Sequence, residues 1–283
     1  MKHREDISRA IDYIEENLPF GLTVGDAAKA AGYSKFHFER IFSEALRMTP
    51  AEYIRRRRIT EIIRRMESSD RPMSNIAFEL GFNSKENFTR AFRSEHSILP
   101  SEYRAAGNSL RLCERAALDG ETPEPFAITP ELVTLEAFSV VAYPSDEEIP
   151  PRFWNKYNAG KWSERLSGRA LTEDYGVCRW NHEKSRLDYF IGIRESEARG
   201  DLSGTVKLDI PGGLYAVFTT PGSNRLAFVG TIAKSWDFAS KWLCENGYVR
   251  TGGYEFECYV EASRVFSERI FIPVKKSAPA IPG

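Results

Sequence analysis

Two stretches of the chain, 50 residues apart, combine arginine with aromatic and polar side chains at helical spacing. The first would present a helix face made of Lys35, Phe36, Glu39, Arg40 and Ser43. The second would present Lys85, Glu86, Asn87, Thr89, Arg90 and Arg93. Arginine contacts guanine through two parallel hydrogen bonds, and asparagine can read adenine. Charged helix faces are often merely solvated, but arginines at equivalent positions of both stretches favour DNA contact.

A third stretch, the four consecutive arginines Arg55 to Arg58, lies on the helix predicted between the two faces. Four residues span a full helical turn, so these side chains cannot all meet one partner. We expect Arg55 and Arg58 to contact phosphate, which sets register and salt dependence rather than sequence choice. The other arginines are expected to pair with Glu52, Glu61 or Asp70, or to pack their stems.

Both faces belong to a helical unit that occurs twice. The residues that recur at an offset of 50 include Ser34, Phe38, Arg40, Phe42 and Pro50. In each copy a glycine, Gly32 or Gly81, follows a short helix and can form a tight turn because it accepts a positive φ. A plain helical hairpin is the alternative for one copy. Two copies with matching polar faces predict two helix-turn-helix units, joined by a helix from Pro50 to about Met66.

The pattern changes after a proline-rich acidic stretch at residues 119–125. Short runs rich in β-formers then predict strands at 132–143, 175–179, 188–193, 215–220, about 254–261 and 267–274. Helical stretches are predicted at about 152–165 and 225–245. The predicted fold is therefore multidomain, an all-α double helix-turn-helix domain followed by an α+β domain of two β-α-β-β repeats. The predicted boundaries are 1–110 for the DNA-binding domain, 111–127 for a linker, 128–275 for the α+β domain and 276–283 for a tail.

The composition is that of a globular protein, with 42% hydrophobic and 28% charged residues and a net charge of -1. The chain has neither an apolar signal core at its N-terminus nor a run of 18 apolar residues, so we expect a cytoplasmic protein with no membrane segment. Its four cysteines and four histidines are scattered. This spacing predicts no metal site, no cofactor and reduced thiols.

Residues 5–105 resemble the DNA-binding domain of the AraC/XylS transcription regulators. The motifs that carry the resemblance are Gly32-Tyr33-Ser34-Lys35-Phe36-His37-Phe38, Tyr53-Ile54-Arg55, Gly81-Phe82-x-Ser84 and Pro100-x-x-Tyr103-Arg104. The resemblance implies two helix-turn-helix units entering successive major grooves. It also implies that one groove is read by Phe36, Glu39 and Arg40, and the other by Lys85, Glu86, Asn87, Thr89 and Arg90. Glu39 and Glu86 depart from the glutamine typical of the multidrug activators, so the operator sequence is not carried over.

Residues from about 128 to 275 resemble the gyrase-inhibitor-like effector-binding domain, a duplicated β-α-β-β fold. The motifs are Pro211-Gly212-Gly213-x-Tyr215, the helix from Trp236 to Trp242, and Phe256-Glu257-Cys258-Tyr259. A helical domain followed by such a domain is similar to the right-origin-binding type of AraC regulator. The resemblance implies a cleft between the repeats that holds a small molecule, with the glutamate of the last motif facing it.

Strand alternation puts Glu257 and Tyr259 on one face of their strand. A carboxylate among aromatic rings would favour a cationic aromatic ligand through charge pairing and cation–π contact. The predicted effector-binding residues are Glu257, Tyr259, Tyr215, Trp154, Trp180 and Trp236. The opposing interpretation is that most of these aromatic side chains belong to an ordinary core.

The predicted function is that of a sequence-specific regulator, an activator, that binds double-stranded DNA and RNA polymerase. A small effector in the second domain, a cationic aromatic molecule, is expected to modulate it, and the chain is not expected to be an enzyme. Two alternatives stay open for the second domain. It could hydrolyse small electrophiles, with Glu257 as base and Tyr259 or Tyr215 as positioning group, or it could bind only another protein.

Overall fold

The computed structural model of the chain describes residues 3–19, 21–106, 110–118, 128–169, 173–259 and 266–277. Backbone contacts divide the chain into two compact units. The first is helical, runs to Ser101 and takes in the segment that begins at Arg111, whereas Glu102–Leu110 is grouped with the second. The end of the predicted linker, 119–127, and residues 278–283 of the predicted tail lie outside the described residues.

Amphipathic helices build the first unit. They are α1 (Arg4–Asn17), α2 (Val24–Ala30), α3 (Lys35–Leu46), α4 (Pro50–Glu67), α5 (Met73–Glu79) and α6 (Lys85–His96). A seventh helix, α7 (Pro100–Ala106), begins at the end of this unit, and its residues from Glu102 onward are grouped with the second. The apolar residues that predicted α1, among them Ile7, Ile11 and Ile14, are buried at helical spacing. The predicted order of an all-α region before an α+β region is confirmed.

The two helix-turn-helix units repeat down to their backbone hydrogen bonds. Gly32 and Gly81 have φ of +80° and +84°, in the left-handed region that glycine accepts without a steric penalty. The next residue closes each turn, with Tyr33 N donating to Ala28 O at 2.9 Å and Phe82 N donating to Ala77 O at 3.0 Å. The sequence repeat therefore reflects a repeat in structure.

Residues 111–118, here called the strap, run along the first unit without regular secondary structure. Their backbone is held by side chains of α4. Arg57 Nη1 donates to Cys113 O at 2.7 Å, Cys113 N donates to Thr60 Oγ1 at 2.9 Å, and Ala116 N donates to Tyr53 OH at 3.0 Å. The first part of the predicted linker is thus packed against the helical unit as far as residue 118.

A single antiparallel sheet forms the second unit. Its strands are β1 (Pro130–Leu135), β2 (Phe138–Pro144), β3 (Asp174–Asn181), β4 (Arg186–Arg194), β5 (Val206–Ile210), β6 (Gly213–Thr219), β7 (Tyr248–Arg250), β8 (Glu255–Tyr259) and β9 (Glu268–Lys276). The single strand predicted at 132–143 is two strands, because it is interrupted at Glu136 and Ala137 and the two parts pair with different strands. The strands β5 and β7 were not predicted, since both are short and carry exposed polar residues.

The strand order, β1-β6-β9-β8-β3-β4-β2-β5, is symmetric about the β8–β3 pair. The first repeat comprises β1 to β4 and the second β5 to β9. The first strand of each repeat pairs with a strand of the other repeat, since β1 pairs with β6 and β5 pairs with β2. The two predicted β-α-β-β repeats therefore form one sheet by exchanging their leading strands. This arrangement brings β8 of the second repeat beside β3 of the first.

Helices α8 (Pro150–Ala159), α9 (Trp162–Ser167) and α10 (Phe228–Glu245) pack on one face of the sheet. One cluster joins Phe153 and Tyr157 of α8 to the strands of the first repeat, and another joins Ala239 and Leu243 of α10 to those of the second. A third cluster is formed by strand side chains on the opposite face of the sheet. Trp236 contacts both helix-side clusters, so the helix-covered centre of the sheet is where the two repeats meet.

Within the described ranges, none of the helices combines the length and the apolar character needed to cross a membrane. The four cysteines are free thiols, of which Cys178 and Cys258 are buried.

Candidate nucleic-acid interface and buried carboxyl site

The N-terminal turn of α3 presents an exposed aromatic ring and a positioned arginine. The Ser34 hydroxyl caps this helix by accepting from His37 N at 3.4 Å. The Phe36 side chain is 82% exposed, which is unusual for phenylalanine. The Arg40 guanidinium lies 3.4 Å from His37 Nδ1 and 3.4 Å from Glu44 Oε1. This turn can therefore offer an apolar contact and a hydrogen-bonding fork to a partner.

The corresponding turn of α6 has the same frame with different side chains. Ser84 caps the helix by accepting from Asn87 N at 3.1 Å. Arg90 Nη2 donates to Asn87 Oδ1 at 2.6 Å, a hydrogen bond that does not use the amide N–H donors of Asn87. Hydrogen bonds from its own backbone N–H and from Ser84 lower the pKa of Glu86. Glu86 is therefore already engaged at the helix cap.

All the residues predicted for these two faces lie away from the buried side of their helices. The exposed ones are Lys35, Phe36, Arg40, Lys85, Glu86, Asn87, Arg90 and Arg93, and the half-buried ones are Glu39, Ser43 and Thr89. The opposite sides carry Phe38, Phe42, Phe88 and Phe92, which form the core. The geometry is compatible with the predicted recognition role, which stays a prediction for each residue.

The four consecutive arginines of α4, Arg55 to Arg58, have four different environments. Arg55 is exposed, and Arg56 pairs with Glu52 and Glu95 at 3.0 Å each. The prediction that Arg58 contacts phosphate needs correction. Its guanidinium turns inward, donating to Leu18 O at 3.2 Å and to Leu22 O at 3.3 Å. Leu18 is the C-cap residue of α1, where intrahelical donors run out, and Arg58 supplies a donor there. Leu22 lies in the connection between α1 and α2.

Arg57 is the most buried of the four, with a side chain 4% exposed. Its guanidinium donates to both carboxylate oxygens of Glu15, at 2.8 and 2.6 Å, to Glu61 Oε1 at 3.1 Å, and to the strap at Cys113. The predicted pairing of this run with Glu52 and Glu61 is confirmed. The burial of Arg57 was not predicted, because four identical neighbours in a sequence do not show which one faces inward.

In the second unit, Glu257 of β8 is a buried carboxylate surrounded by neutral donors. Trp154 Nε1 of α8 donates to its Oε1 at 3.0 Å, and Trp236 Nε1 of α10 donates to its Oε2 at 3.3 Å. The Tyr189 hydroxyl of β4 makes a short hydrogen bond to Oε1 and accepts from Trp154 at 2.7 Å. Side chains from both repeats therefore converge on one carboxyl group.

Glu268, the first residue of β9, supplies a second carboxyl group at this site. Its side chain is buried and hydrogen-bonded to Glu257. Burial raises the pKa of Glu257, while the hydrogen bonds from Tyr189, Trp154 and Trp236 lower it. Burial and the neighbouring carboxylate raise the pKa of Glu268 well above its ordinary value. The pKa of both carboxyl groups is therefore above its ordinary value, and burial favours a proton on the pair.

A glycine makes room for the carboxyl site. Gly176 of β3 pairs directly with Glu257, and a Cβ there would lie 2.6 Å from Glu257 Oε1. Tyr189, Glu268 and Gly176 were all missed by the sequence analysis. Gly176 did carry a signal, since an isolated glycine in an apolar strand often marks the close approach of another group.

Only part of the predicted effector-binding set gathers at Glu257. Trp154 and Trp236 do, and Tyr259 lies next to it on the same strand face, with its ring 5.5 Å from that of Phe228. Tyr215 does not. It is buried in the cluster on the opposite sheet face and donates to Pro211 O at 2.8 Å, because β6 turns that side chain away from the helices.

Trp180 also lies away from the site. It is 54% exposed, four residues beyond Gly176 along β3. At about 3.3 Å per strand residue, this separation is roughly 13 Å. Within the alternative of a hydrolase, Tyr215 does not fit the role of positioning group beside Glu257, since it lies on the opposite face of the sheet. The tyrosine that contacts the Glu257 carboxylate is Tyr189.

Comparisons with known proteins divide along the same two units. Residues 27–106 match the helix-turn-helix domain family and residues 129–275 match the GyrI-like small molecule binding domain family. Regulatory protein SoxS of Salmonella typhimurium is 36% identical over 104 residues, which are 37% of this chain and 97% of SoxS. Multiple antibiotic resistance protein MarA of Escherichia coli is 34% identical over 98 residues, 35% of this chain and 77% of MarA. The solved structure of SAV2435 bound to tetraphenylphosphonium matches at 16% identity and a TM-score of 0.38. The match covers 52% of this chain and 94% of the SAV2435 chain.

Proposed function

The chain belongs to the AraC-type DNA-binding transcription regulators that carry a GyrI-like small-molecule-binding domain, and we propose that its effector is an organic cation bound beside Glu257. One observation carries this proposal. Glu257 is 6% exposed, and no lysine or arginine of the described residues forms an ion pair with it. A buried carboxylate without a cation is costly. A cationic ligand would supply the missing charge.

The aromatic groups around Glu257 suit the same class of ligand. Trp154 and Trp236 are half-buried and flank the carboxylate from two different helices. The face of an indole ring attracts a cation and gains strength when water is excluded. A flat aromatic cation would therefore be held by charge at one end and by ring contacts along its body.

For DNA, we propose that Arg40 and Arg90 read bases and that Arg55 contacts phosphate. The remaining proposed contacts are Lys35, Phe36, Glu39, Ser43, Lys85, Glu86, Asn87, Thr89 and Arg93. The two faces share a lysine and an arginine but differ at the other positions. One chain would therefore read an asymmetric site without forming a dimer.

We further propose that the regulator is an activator that contacts RNA polymerase and that it acts in the cytoplasm, where bacterial promoters are found. Transcription in vitro from a bound promoter, with purified polymerase and with or without the protein, tests the activator assignment. Stimulation supports it. Inhibition would identify a repressor instead.

The effector proposal is tested by calorimetric titration with two matched probes, biphenylamidinium and the neutral biphenylcarboxamide. The cation should bind at least tenfold more tightly, since a hydrogen bond to a charged group contributes about 1.5–3 kcal/mol. In Glu257→Gln this preference should fall to near unity. Equal binding of the two probes by the wild-type protein would contradict the cation proposal. Binding of neither would favour the alternative that the domain recognises only a protein.

The DNA assignment is tested by selecting a bound sequence from a random pool and measuring affinity for it. Arg90→Ala and Arg40→Ala should each weaken specific binding by about 1–3 kcal/mol and relax selection at one base position. Arg55→Ala should weaken binding to all sequences alike and lower the salt dependence. Unchanged affinity and unchanged selection for both base-reading variants would exclude the proposed faces.

A further inference from the structure

Each of the two arginines proposed to read bases is hydrogen-bonded to the side chain three residues before it on the same helix. In α3, Arg40 Nη2 lies 3.4 Å from His37 Nδ1, and in α6, Arg90 Nη2 donates to Asn87 Oδ1 at 2.6 Å. A guanidinium has only donors, so His37 Nδ1 is the acceptor of the first hydrogen bond. The two units therefore make the same contact with different side chains.

The other partner of Arg40 has no counterpart in the second unit. Glu44 Oε1 lies 3.4 Å from Arg40 Nη1, and the Glu44 side chain is 63% exposed. An ion pair between exposed side chains is weak, because water and salt screen it. The residue four positions after Arg90 is Ser94, which carries no charge. The contact that recurs in both units is the one with the preceding residue.

His37 is itself held by side chains at the start of the first unit. Its ring centroid lies 4.9 Å from that of Tyr33 and 5.7 Å from that of His3. The Tyr33 hydroxyl donates to Asp6 Oδ2 of α1 at 2.6 Å and lies 2.7 Å from His3 Nδ1. His37 is half-buried as a result, whereas Asn87 is exposed. The ring that accepts from Arg40 is therefore anchored to α1.

An anchored acceptor matters because a free arginine side chain adopts many conformations. Contact with guanine needs two parallel hydrogen bonds, so the plane and direction of the guanidinium must fit the base. Ordering a flexible side chain at an interface opposes binding, and prior ordering reduces this cost. The hydrogen bond to His37 uses one of the five N–H donors of Arg40, so donors remain for a base.

We propose that His37 is a positioning residue, which orients Arg40 for its base contact as Asn87 holds Arg90 in the second unit. This inference rests on the proposed base-reading role of Arg40. Because His37 acts through Arg40, its loss should reduce selectivity at the base that Arg40 reads. A side chain that only supports the fold would affect all sequences alike.

Selection from a random DNA pool, followed by affinity measurement with the full chain, tests this role. Arg40→Ala first identifies the base position. His37→Ala should relax selection at that position and weaken binding to the selected sequence about three- to tenfold. His37→Asn supplies the acceptor that α6 uses and should restore both. A folded His37→Asn variant that stays as relaxed as His37→Ala would overturn the role of the accepting atom.

The same data separate this inference from the proposal on which it rests. If Arg40→Ala relaxes one position and His37→Ala relaxes none, the base-reading role stands and the positioning role is refuted. If Arg40→Ala leaves selection unchanged, both proposals fail.

A double-mutant cycle shows whether His37 acts through Arg40. In the Arg40→Ala background, His37→Ala should cause no further loss of affinity for the selected sequence. An equal loss in both backgrounds would mean that His37 contacts DNA by itself or only supports the fold, and it would overturn the proposal. Hydrogen exchange of peptides from α1 and α4 confirms that the first unit is folded in each variant.

Discussion

Replacing Arg57 by alanine should destabilise the first unit strongly although the side chain is not among the proposed DNA contacts. Arg57 joins three parts of this unit, since it donates to Glu15 of α1, to Glu61 on its own helix and to the strap at Cys113. Tyr53 also donates to Glu15, at 2.8 Å. Removing the guanidinium leaves the Glu15 carboxylate and the Cys113 carbonyl without their charged donor.

The expected loss follows from burial. Removing one partner of a buried ion pair costs about 3–5 kcal/mol. Arg57 is 4% exposed but Glu15 is 16% exposed, so water can reach part of the remaining carboxylate. We therefore expect the lower end, about 3 kcal/mol, which is a large share of the roughly 5–15 kcal/mol that stabilises a domain. With a urea slope near 2 kcal/mol per molar, the unfolding midpoint should fall by about 1.5 M.

The two units can be followed separately in the full chain. The tryptophans are at positions 154, 162, 180, 236 and 242, all in the second unit, so their fluorescence reports only that unit. Pulsed hydrogen exchange with mass spectrometry along the urea series, using peptides from α1 and α4, reports the first. The α1 and α4 midpoints should fall in Arg57→Ala, and the fluorescence midpoint should not.

Arg55→Ala is the matched control, because it removes the same side chain from an exposed position of the same helix. Exposed substitutions of this kind usually change stability by less than about 0.5 kcal/mol. Equal shifts of the α4 midpoint in the two variants would refute the reasoning, since burial would then not decide the cost. A large shift of the fluorescence midpoint in Arg57→Ala would refute the assignment of its effect to the first unit.

Three further predictions concern the rest of the chain. Gly176→Ala should destabilise the second unit by about 1–3 kcal/mol, because the new Cβ would lie 2.6 Å from Glu257 Oε1, and calorimetry should show weaker binding of biphenylamidinium. Gly230→Ala is the control, since a Cβ at that position meets open space. Equal effects of the two substitutions would count against crowding as the cause. Folding raises the pKa of Glu268 above 4.5. The contribution of Glu268 to the free energy of unfolding is therefore fully present below its unfolded-state pKa and is lost as pH rises towards its folded-state pKa. The wild-type fluorescence midpoint should therefore decline more between about pH 5 and 8 than that of Glu268→Gln, and parallel declines would exclude this. A first-unit fragment that includes the strap should bind DNA and unfold at higher urea than one without it, whereas equal midpoints would show that the strap contributes nothing.

The positions of most helices could be predicted because they follow local rules. The apolar spacing of α1, the serine caps of α3 and α6 and the glycine of each turn all act within a few residues. The exposed face of each recognition helix follows directly once its buried face is known. Strand β5 was not predicted, because its partner β2 is distant in the sequence and a strand of five residues is too short to show a clear hydrophobic periodicity.

The amino-acid sequence determined the duplicated helix-turn-helix units and the side chains on their two unequal faces. It also singled out Glu257 as the acidic residue of a motif in the second domain. It could not determine which arginine of four is buried, because identical neighbours differ only in what packs against them. It also could not bring Glu268, Tyr189 and Gly176 to Glu257. These residues lie on different strands, and the exchange of leading strands between the repeats places those strands together. Helix faces are fixed by contacts a few residues apart, whereas the carboxyl site is fixed by pairing over long distances along the chain.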